Sequence, residues 1–461
     1  MTTAAPDRAT PEMLSGWGRT APTLATVHRP RDLDHIVERV SAPSARGLIA
    51  RGMGRSYGDA AQNAGGDVLS SGNLDAVLDL DLEKGTVTVE SGVGLDTLLR
   101  VLLPMGWIPM VIPGTSYVSV GGAIASDIHG KFRHGSFADS VERMRVVTPD
   151  RGVVSLEPGT DTNLFWATSG GMGLTGVIAD ATLRLHPVET SRIVCDTERT
   201  RDVDDCMARM LDGDRDYRYS VAWIDCTATG TRLGRSVLTR GNHATLDELP
   251  PSERGSARTY APRTLLGAPP WLPNGLINPF TTRMFNRVWF NKAPRSSHRS
   301  IEGIKPFFFP LDGVRDWNRI YGSRGFVQYQ FVVPFGAEHV VRTALERFST
   351  TRTPTFLAVL KRFEHDSRSL IGFPMSGWTL ALDIPAAPAI APLLDGLDEL
   401  VVEARGRVYL TKDARLRPEL LAAMYPRLDE WRDARASVDG VGRLRSDMDR
   451  RLDLSGTGSR S

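Results

Sequence analysis

Three glycine-rich segments carry most of the residues whose types and spacing could do chemistry. The first is Ala50-Arg51-Gly52-Met53-Gly54-Arg55-Ser56-Tyr57-Gly58-Asp59-Ala60, which follows an apolar strand. Glycines clustered there let successive backbone N–H groups converge on a phosphate, because no Cβ blocks the approach. The spacing is not a Rossmann fingerprint, and the polar segment 59–66 that follows is no helix. A tight turn would use the same glycines. The second segment is Pro113-Gly114-Thr115 followed by Val120-Gly121-Gly122-Ala123-Ile124-Ala125-Ser126-Asp127-Ile128-His129-Gly130-Lys131. Its small residues permit close packing against a flat ligand, and His129 and Lys131, two apart, would share one side of an extended segment. The third, Phe165 to Ile178, places Gly170, Gly171, Gly173 and Gly176 within seven residues, another place where backbone could meet ligand.

The elements that must position these segments are partly legible. Residues 77–93 alternate Val, Leu and Thr about Glu83-Lys84-Gly85 and predict a hairpin. Residues 95–103 have helical apolar spacing, ended by Pro104. A second α/β region is expected from about residue 190. Inside it, residues 261–290 are rich in Pro, Gly and aromatics, which predicts no regular element but a lid or membrane-facing loop. Both ends, 1–12 and 455–461, are polar and small and are expected to fray.

Composition narrows the function classes. The chain has 461 residues, 41% hydrophobic and 24% charged, typical of a globular protein of more than one domain. Basic minus acidic residues, 56 − 54, gives +2, so charge offers no case for nucleic acid. Six of the basic residues are Lys, leaving 56 − 6 = 50 Arg, so each Lys merits attention. Cys195, Cys206 and Cys226 lack metal-ligand spacing and suggest buried thiols in a reducing compartment; no metal is expected. Neither a secretory signal nor an apolar run of membrane-spanning length is visible, so any membrane contact is expected to be peripheral, in the cytoplasm or at the cell envelope.

Taken in order, GxGRSYGD, PGT, VGGAIA, HGK and FWATxGGxGLTG form a combination more specific than any part. It resembles the FAD-binding domain of the vanillyl-alcohol oxidase/p-cresol methylhydroxylase superfamily. Downstream, Ala222-Trp223, residues 273–276, Trp317-Asn318-Arg319, Gln328-Tyr329-Gln330-Phe331, Phe373-Pro374, Gly377-Trp378, Tyr409-Leu410-Thr411-Lys412-Asp413 and Met424-Tyr425-Pro426-Arg427 narrow the match. These resemble the decaprenylphosphoryl-β-D-ribose 2′-oxidase family, flavin subunits of an actinobacterial epimerase pair that makes the arabinose donor for cell-wall arabinan. The resemblance covers about residues 14–453.

That resemblance implies an α+β fold with an α/β FAD-binding domain and an antiparallel-sheet substrate domain. The expected division is 1–190 for the first part of the FAD domain, 191–406 for the substrate domain and 407–461 for a C-terminal return. FAD contacts carry over to residues 50–60, Gly114, Ser119, Val120, Gly121, Gly122, His129, Gly130, Lys131, Phe132, Ile178 and Tyr409. Substrate contacts carry over to Tyr57, Lys131, Trp223, Gln328, Gln330, Lys361 and Lys412, so three of the six lysines fall on active-site positions. The implied reaction is FAD-dependent oxidation of the ribose 2′-hydroxyl of a polyprenylphosphoryl sugar. His129 and Lys412 are the candidates for proton handling beside Tyr57, and a separate NAD(P)H-dependent keto-sugar reductase is the implied partner.

Arg55 stands where superfamily members that tether flavin through this loop have histidine, which predicts non-covalent FAD. Ala381 replaces a cysteine that captures nitroaromatic inhibitors, Thr379 replaces an Asn, Phe308-Phe309 replace a Tyr-His pair, and the loop at His134-Gly135-Ser136 is shorter. These departures fall on the substrate side. They leave open a flavin oxidase of another sugar, alditol or nucleoside. A flavoprotein scaffold without turnover is disfavoured by His129 and the three lysines. If residues 220–226 form one strand, Trp223 and Asp225 share a face that Cys226 avoids.

Overall fold

The computed structural model describes residues 9–262 and 266–456. Near the N-terminus a four-stranded sheet has the spatial order Thr10–Leu14, Thr23–His28, Asp67–Ser70, Leu48–Arg51. Its last three strands are parallel. Parallel neighbours need a crossover, and the helix Leu33–Ser41 lies between the first two of them in sequence. Asp32 starts that helix by accepting from the His35 N–H at 2.9 Å. Thr10–Leu14 pairs antiparallel with Thr23–His28. The expectation of a frayed segment to residue 12 is therefore corrected, since its backbone groups are taken up by an edge ladder. Residues 1–8 and 457–461 lie outside the described residues.

A second sheet is antiparallel: Val77–Asp81, Thr86–Glu90, Val177–Pro187, Val141–Thr148, Gly152–Leu156, with Trp107–Pro109 joining Val177–Pro187. The predicted hairpin is its first two strands. Residues Leu95–Leu102 form the expected helix and bury Leu95, Leu98, Leu99 and Leu102, the i, i+3, i+4, i+7 stripe. Between the two sheets and their helices, the glycine loops come together.

The third sheet has eight antiparallel strands in the order His298–Gly303, Arg192–Thr200, Ser236–His243, Tyr219–Ile224, Ala358–Phe363, Gly377–Pro385, Phe326–Pro334, Arg407–Val408. Helices Val203–Gly213, Glu338–Thr350 and Ala391–Glu403 pack on it, burying among others Val340, Val341, Ala344, Leu345, Leu394, Leu397 and Val401. The strand expected over 220–226 ends at Ile224, and Asp225 turns away to receive Arg235, Thr227 and Asn286.

In the stretch 261–290, of which residues 263–265 lie outside the described residues, a second expectation is corrected over 279–290. Pro279–Lys292 is a fourteen-residue helix. Asn278 caps it by accepting from the Phe280 and Thr281 N–H groups, while Thr281 Oγ1 accepts from the Asn278 N–H. Pro279 sits in the first turn, where a missing N–H costs nothing.

After Val408 the chain returns to the N-terminal sheets. Leu48 N donates to Arg443 O and Arg445 N to Leu48 O, both at 2.9 Å. Trp431 is fully buried, its indole N–H donating to Ala167 O at 2.9 Å. Arg451 clamps Asp59 of the first glycine loop and Asp413 at 2.8–2.9 Å.

Candidate active site

Residues 52–56 leave the strand Leu48–Arg51 as an irregular turn, and their backbone N–H groups have no protein acceptor among the described residues. Gly54 turns the chain at φ +65°, a region L side chains rarely occupy. A Cβ on Gly52 would lie 2.1 Å from Ser119 Oγ, so a larger residue would have to turn that hydroxyl away from its cap on the helix that follows Ser119. A run of free N–H groups around a left-handed turn is an anion cradle. It faces a cavity of about 640 Å³ that this loop shares with Gly114, Ser119, Gly121, Gly122, His129 and Ile178.

The opposite wall is the eight-stranded sheet. Residues directly opposite on antiparallel strands share a face. The pairs Gln330↔Ala381, Ala381↔Val359 and Val359↔Trp223 therefore form one row, flanked by Gln328↔Asp383 and by Lys361↔Thr379. Gln328, Gln330, Val359, Lys361 and Ala381 line the cavity. Tyr409 and Lys412 close it from the C-terminal return. Backbone bonds of 2.9 Å from Tyr409 N to Gln330 O and from Tyr57 N to Thr411 O fix that segment between sheet and glycine loop.

Within this wall, Lys412 Nζ lies 3.8 Å from the centre of the Tyr57 ring. Gln328 Nε2 donates to Asp383 Oδ1 and, at 3.4 Å, to the Tyr57 hydroxyl. Asp383 is fully buried, and its Oδ2 has no hydrogen-bond partner. Burial pushes its carboxyl up to about 7, against the opposing pull of Gln328 and Lys412. Burial brings Lys412 down to about 8, with Asp383 acting to raise it. Lys361, which donates to Gly130 O at 3.2 Å, falls to about 7 through burial and the neighbouring Lys412 and Lys131. Tyr57 is held well above the usual phenol range, first by burial and then by Asp383, so it stays protonated.

His129 is buried among Phe363, Phe373 and Tyr409. Burial and the two lysines hold it well below the ordinary imidazole value. Its Nε2 contacts Gln330 Nε2 at 2.9 Å, and Gln330 Nε2 also reaches Thr379 Oγ1 at 3.2 Å. With the amide N assigned there, the imidazole is neutral and accepts at Nε2.

Several sequence-predicted residues are outside the cavity lining. Gly58, Asp59, Val120, Gly130, Phe132, Lys131 and Trp223 do not line the cavity. Asp59 is spent on Arg451. Lys131 turns its ammonium to Phe307 O and over the Phe307 ring at 4.2 Å, and burial lowers it to about 8. Two-apart residues share a side only in extended strand, and residues 128–131 form none, with a bend at Lys131. Trp223 meets Trp289 and donates weakly to Phe356 O at 3.4 Å. Phe308 and Phe309 are core side chains. All three thiols are buried.

Asp383 was not singled out from sequence. The available signal was a lone carboxylate in the apolar run Gly377–Pro385. Asp312 was also missed; buried, it accepts from Thr115 Oγ1, Ser116 N and Ser116 Oγ at 2.7–2.9 Å and so pins the loop after Gly114. His134, Glu364 and His365 bring ligand atoms within 4.8 Å of one another. Arg133 and Arg362 already pair with Glu364, and two guanidiniums at that carboxylate oppose a cation.

The anion cradle, the flat small-residue wall and the polar opposite wall together suit a flavin dinucleotide. The FAD binding domain family matches residues 24–157, the segment that supplies the cradle and much of that wall. The protein is an FAD-dependent oxidoreductase. Over 453 residues the chain is 42% identical to decaprenylphosphoryl-β-D-ribose oxidase of Mycolicibacterium smegmatis, covering 96% of this chain and 98% of that one. An uncharacterised protein of Streptomyces coelicolor is 40% identical over 372 residues, 78% of this chain and 100% of its own length. L-gulonolactone oxidase of Mus musculus is 32% identical over 131 residues, 27% of this chain. The chain belongs to the decaprenylphosphoryl-β-D-ribose oxidase family.

Proposed function

We propose that the chain oxidises the 2′-hydroxyl of a polyprenylphosphoryl-β-D-ribose to the 2′-keto sugar, with FAD held non-covalently. The observation that carries this is one cavity lined on one side by the anion cradle and on the other by Lys361, Lys412, Gln328 and Gln330. Its context is full-length similarity to an oxidase of that sugar lipid. When bound, FAD supplies the hydride acceptor.

The residues of the chain supply the cradle and the proton chemistry. Residues 52–56 hold the pyrophosphate through their N–H groups. Lys412 Nζ takes the 2′-hydroxyl proton, and Asp383 behind it stabilises the ammonium that results. The two carry one coupled titration rather than separate values. His129 fits the base role less well, because its Nε2 lone pair is engaged by Gln330 and burial disfavours its charged form. It serves instead, with Thr379, to hold the Gln330 amide toward substrate. Tyr57 supports Lys412 with its ring face, and Lys361 offers a compact charge to substrate oxygen. Tyr409 and Trp317 line the site beside these groups.

Non-covalent binding is supported at Arg55. Its Nε donates to Tyr117 O at 3.0 Å and its guanidinium lies 3.9 Å from the Trp17 ring centre, so no nucleophile faces the flavin site from that position. The product needs a hydride to complete an inversion, which is the task of a separate NAD(P)H-dependent keto-sugar reductase. We further propose the division into residues 1–190 with 407–461 for FAD and 191–406 for substrate; Arg407–Val408 are the edge strand of the substrate sheet.

The test is product analysis. Incubation with a polyprenylphosphoryl ribose and an electron acceptor should yield a lipid lighter by two hydrogens, with the carbonyl at C2′. Oxidation of a free sugar, alditol or nucleoside instead, with the lipid untouched, would assign the site to another substrate.

A further inference from the structure

The helix Pro279–Lys292 has two unlike faces. Its inner face rests on the substrate sheet: Asn286 Nδ2 donates to Asp225 Oδ1 at 2.9 Å, Phe285 meets Phe356 edge-on, and Trp289 meets Trp223. Phe356 precedes Leu357, a residue of the cavity wall, so the helix is seated beside the site. Its outer face is apolar. Phe280, Met284 and Val288, spaced i, i+4, i+8, are 73%, 50% and 63% exposed, and Trp271 before the helix is 76% exposed. Such a stripe has no place on a surface meant for water alone.

Charge along the sequence is biased in the same segment. From Arg254 to Ile301 the chain has no Asp or Glu, but has Arg254, Arg258, Arg263, Arg283, Arg287, Lys292, Arg295 and Arg299. Arg254 and Arg299 pair with Asp247 and Glu248, so the positive charge beside the stripe is that of the helix's own Arg283, Arg287 and Lys292. On the helical wheel Arg283 and Arg287 flank the stripe on one side and Lys292 on the other. None of the three has a carboxylate partner among the described residues. An apolar stripe bordered by unpaired cations is the pattern of an interfacial helix that buries its apolar face among acyl chains and its cations among anionic headgroups. A second copy of this chain would bring the same positive face against itself.

We propose that Pro279–Lys292, with Trp271, docks the enzyme on an anionic lipid surface and presents the cavity to substrate lodged in it. This rests on the lipid-linked substrate argued above and names where that lipid is met.

Flotation of the full-length, FAD-loaded enzyme with vesicles tests it. Vesicles of equal parts phosphatidylglycerol and phosphatidylcholine should carry the enzyme, phosphatidylcholine alone should carry little, and high salt should release it. The triple variant Phe280→Ser, Met284→Ser, Val288→Ser and the pair Arg283→Glu, Arg287→Glu should each lose vesicle binding about ten-fold or more. Both should keep parental FAD content and turnover on a detergent-dispersed short-chain substrate. Parental enzyme that stays out of the vesicle fraction, or variants that float as the parent does, would overturn the proposal. So would a dimer that the triple variant abolishes while vesicles bind nothing. Vesicle binding without oxidation of the ribose lipid would leave the docking surface standing and remove the substrate assignment instead.

Discussion

Lys412 and Asp383 are the residues on which the proposed chemistry turns. Lys412→Ala should keep its flavin, because the cradle lies elsewhere, and lose roughly 10²–10³ in turnover, about 2–4 kcal/mol of transition-state stabilisation. Turnover near the parental rate with flavin bound would exclude the lysine from the reaction. The pH dependence has a definite sign. A base must be unprotonated, so flavin reduction by substrate should quicken as pH rises through about 8 and then level off. Asp383 raises Lys412, so Asp383→Asn should move that limb to lower pH; a rate that falls with rising pH would mean the lysine acts only as a cation. At Ala381, which lines the cavity, a thiol is absent, and the three native thiols are buried. A nitroaromatic inhibitor of the kind captured by cysteine-bearing relatives should leave the mass of the protein unchanged after turnover, whereas Ala381→Cys should gain one adduct. An adduct on the parental chain would show that a buried thiol reaches the site. Lys412 was legible because lysine is scarce in this chain and sits in a recognisable motif. Asp383 was not, because only its cross-strand neighbour Gln328 and its burial give it meaning. The turn of the Lys131 ammonium to Phe307 O was not legible, because the bend at that residue leaves no trace in the spacing.

Elements were legible where periodicity was clean and no residue had a double meaning. The hairpin at Val77–Asp81 and Thr86–Glu90 and the helix Leu95–Leu102 follow from alternation and from a leucine stripe. The helix Pro279–Lys292 was hidden because Asn278 and Pro279 count as breakers by composition but act as cap and first turn. The edge strand Thr10–Leu14 was hidden because it gains its hydrogen bonds from a partner thirteen residues away, not from an apolar pattern. Among the described residues, the connection before the helix, from about 254 to 278, contains little regular structure. Trypsin under native conditions should therefore cut first after Arg254 or Arg258. First cuts after Arg51 or Arg55 would show that the glycine loop, not this connection, is the loosest part of the chain.

At the scale of the molecule, the site exists only because the last fifty residues come back to the first sixty. Arg451 bridges Asp59 and Asp413, one from the glycine loop and one beside Lys412. Removing it leaves the buried Asp413 carboxylate with no ion pair among the described residues and only the more distant Arg415 to offset its charge. Arg451→Ala should cost about 3 kcal/mol, the low end for a broken buried pair because the arginine is a quarter exposed. It should also weaken FAD retention; a melting temperature and flavin content like the parent's would show that the clamp is incidental. Sequence spacing could not reveal this closure, since the two ends meet only once three sheets are in place. What was legible at long range came through the ordered motifs, from which Arg55, Ser119, His129, Gln330 and Lys412 line one cavity.

That convergence is tested most directly by mixing the FAD-loaded enzyme anaerobically with a polyprenylphosphoryl-β-D-ribose and following the flavin absorbance in the visible. The account predicts rapid, stoichiometric bleaching that Lys412→Ala slows by about two to three orders of magnitude. Flavin that stays oxidised with the ribose lipid but bleaches with a free sugar, alditol or nucleoside would contradict it.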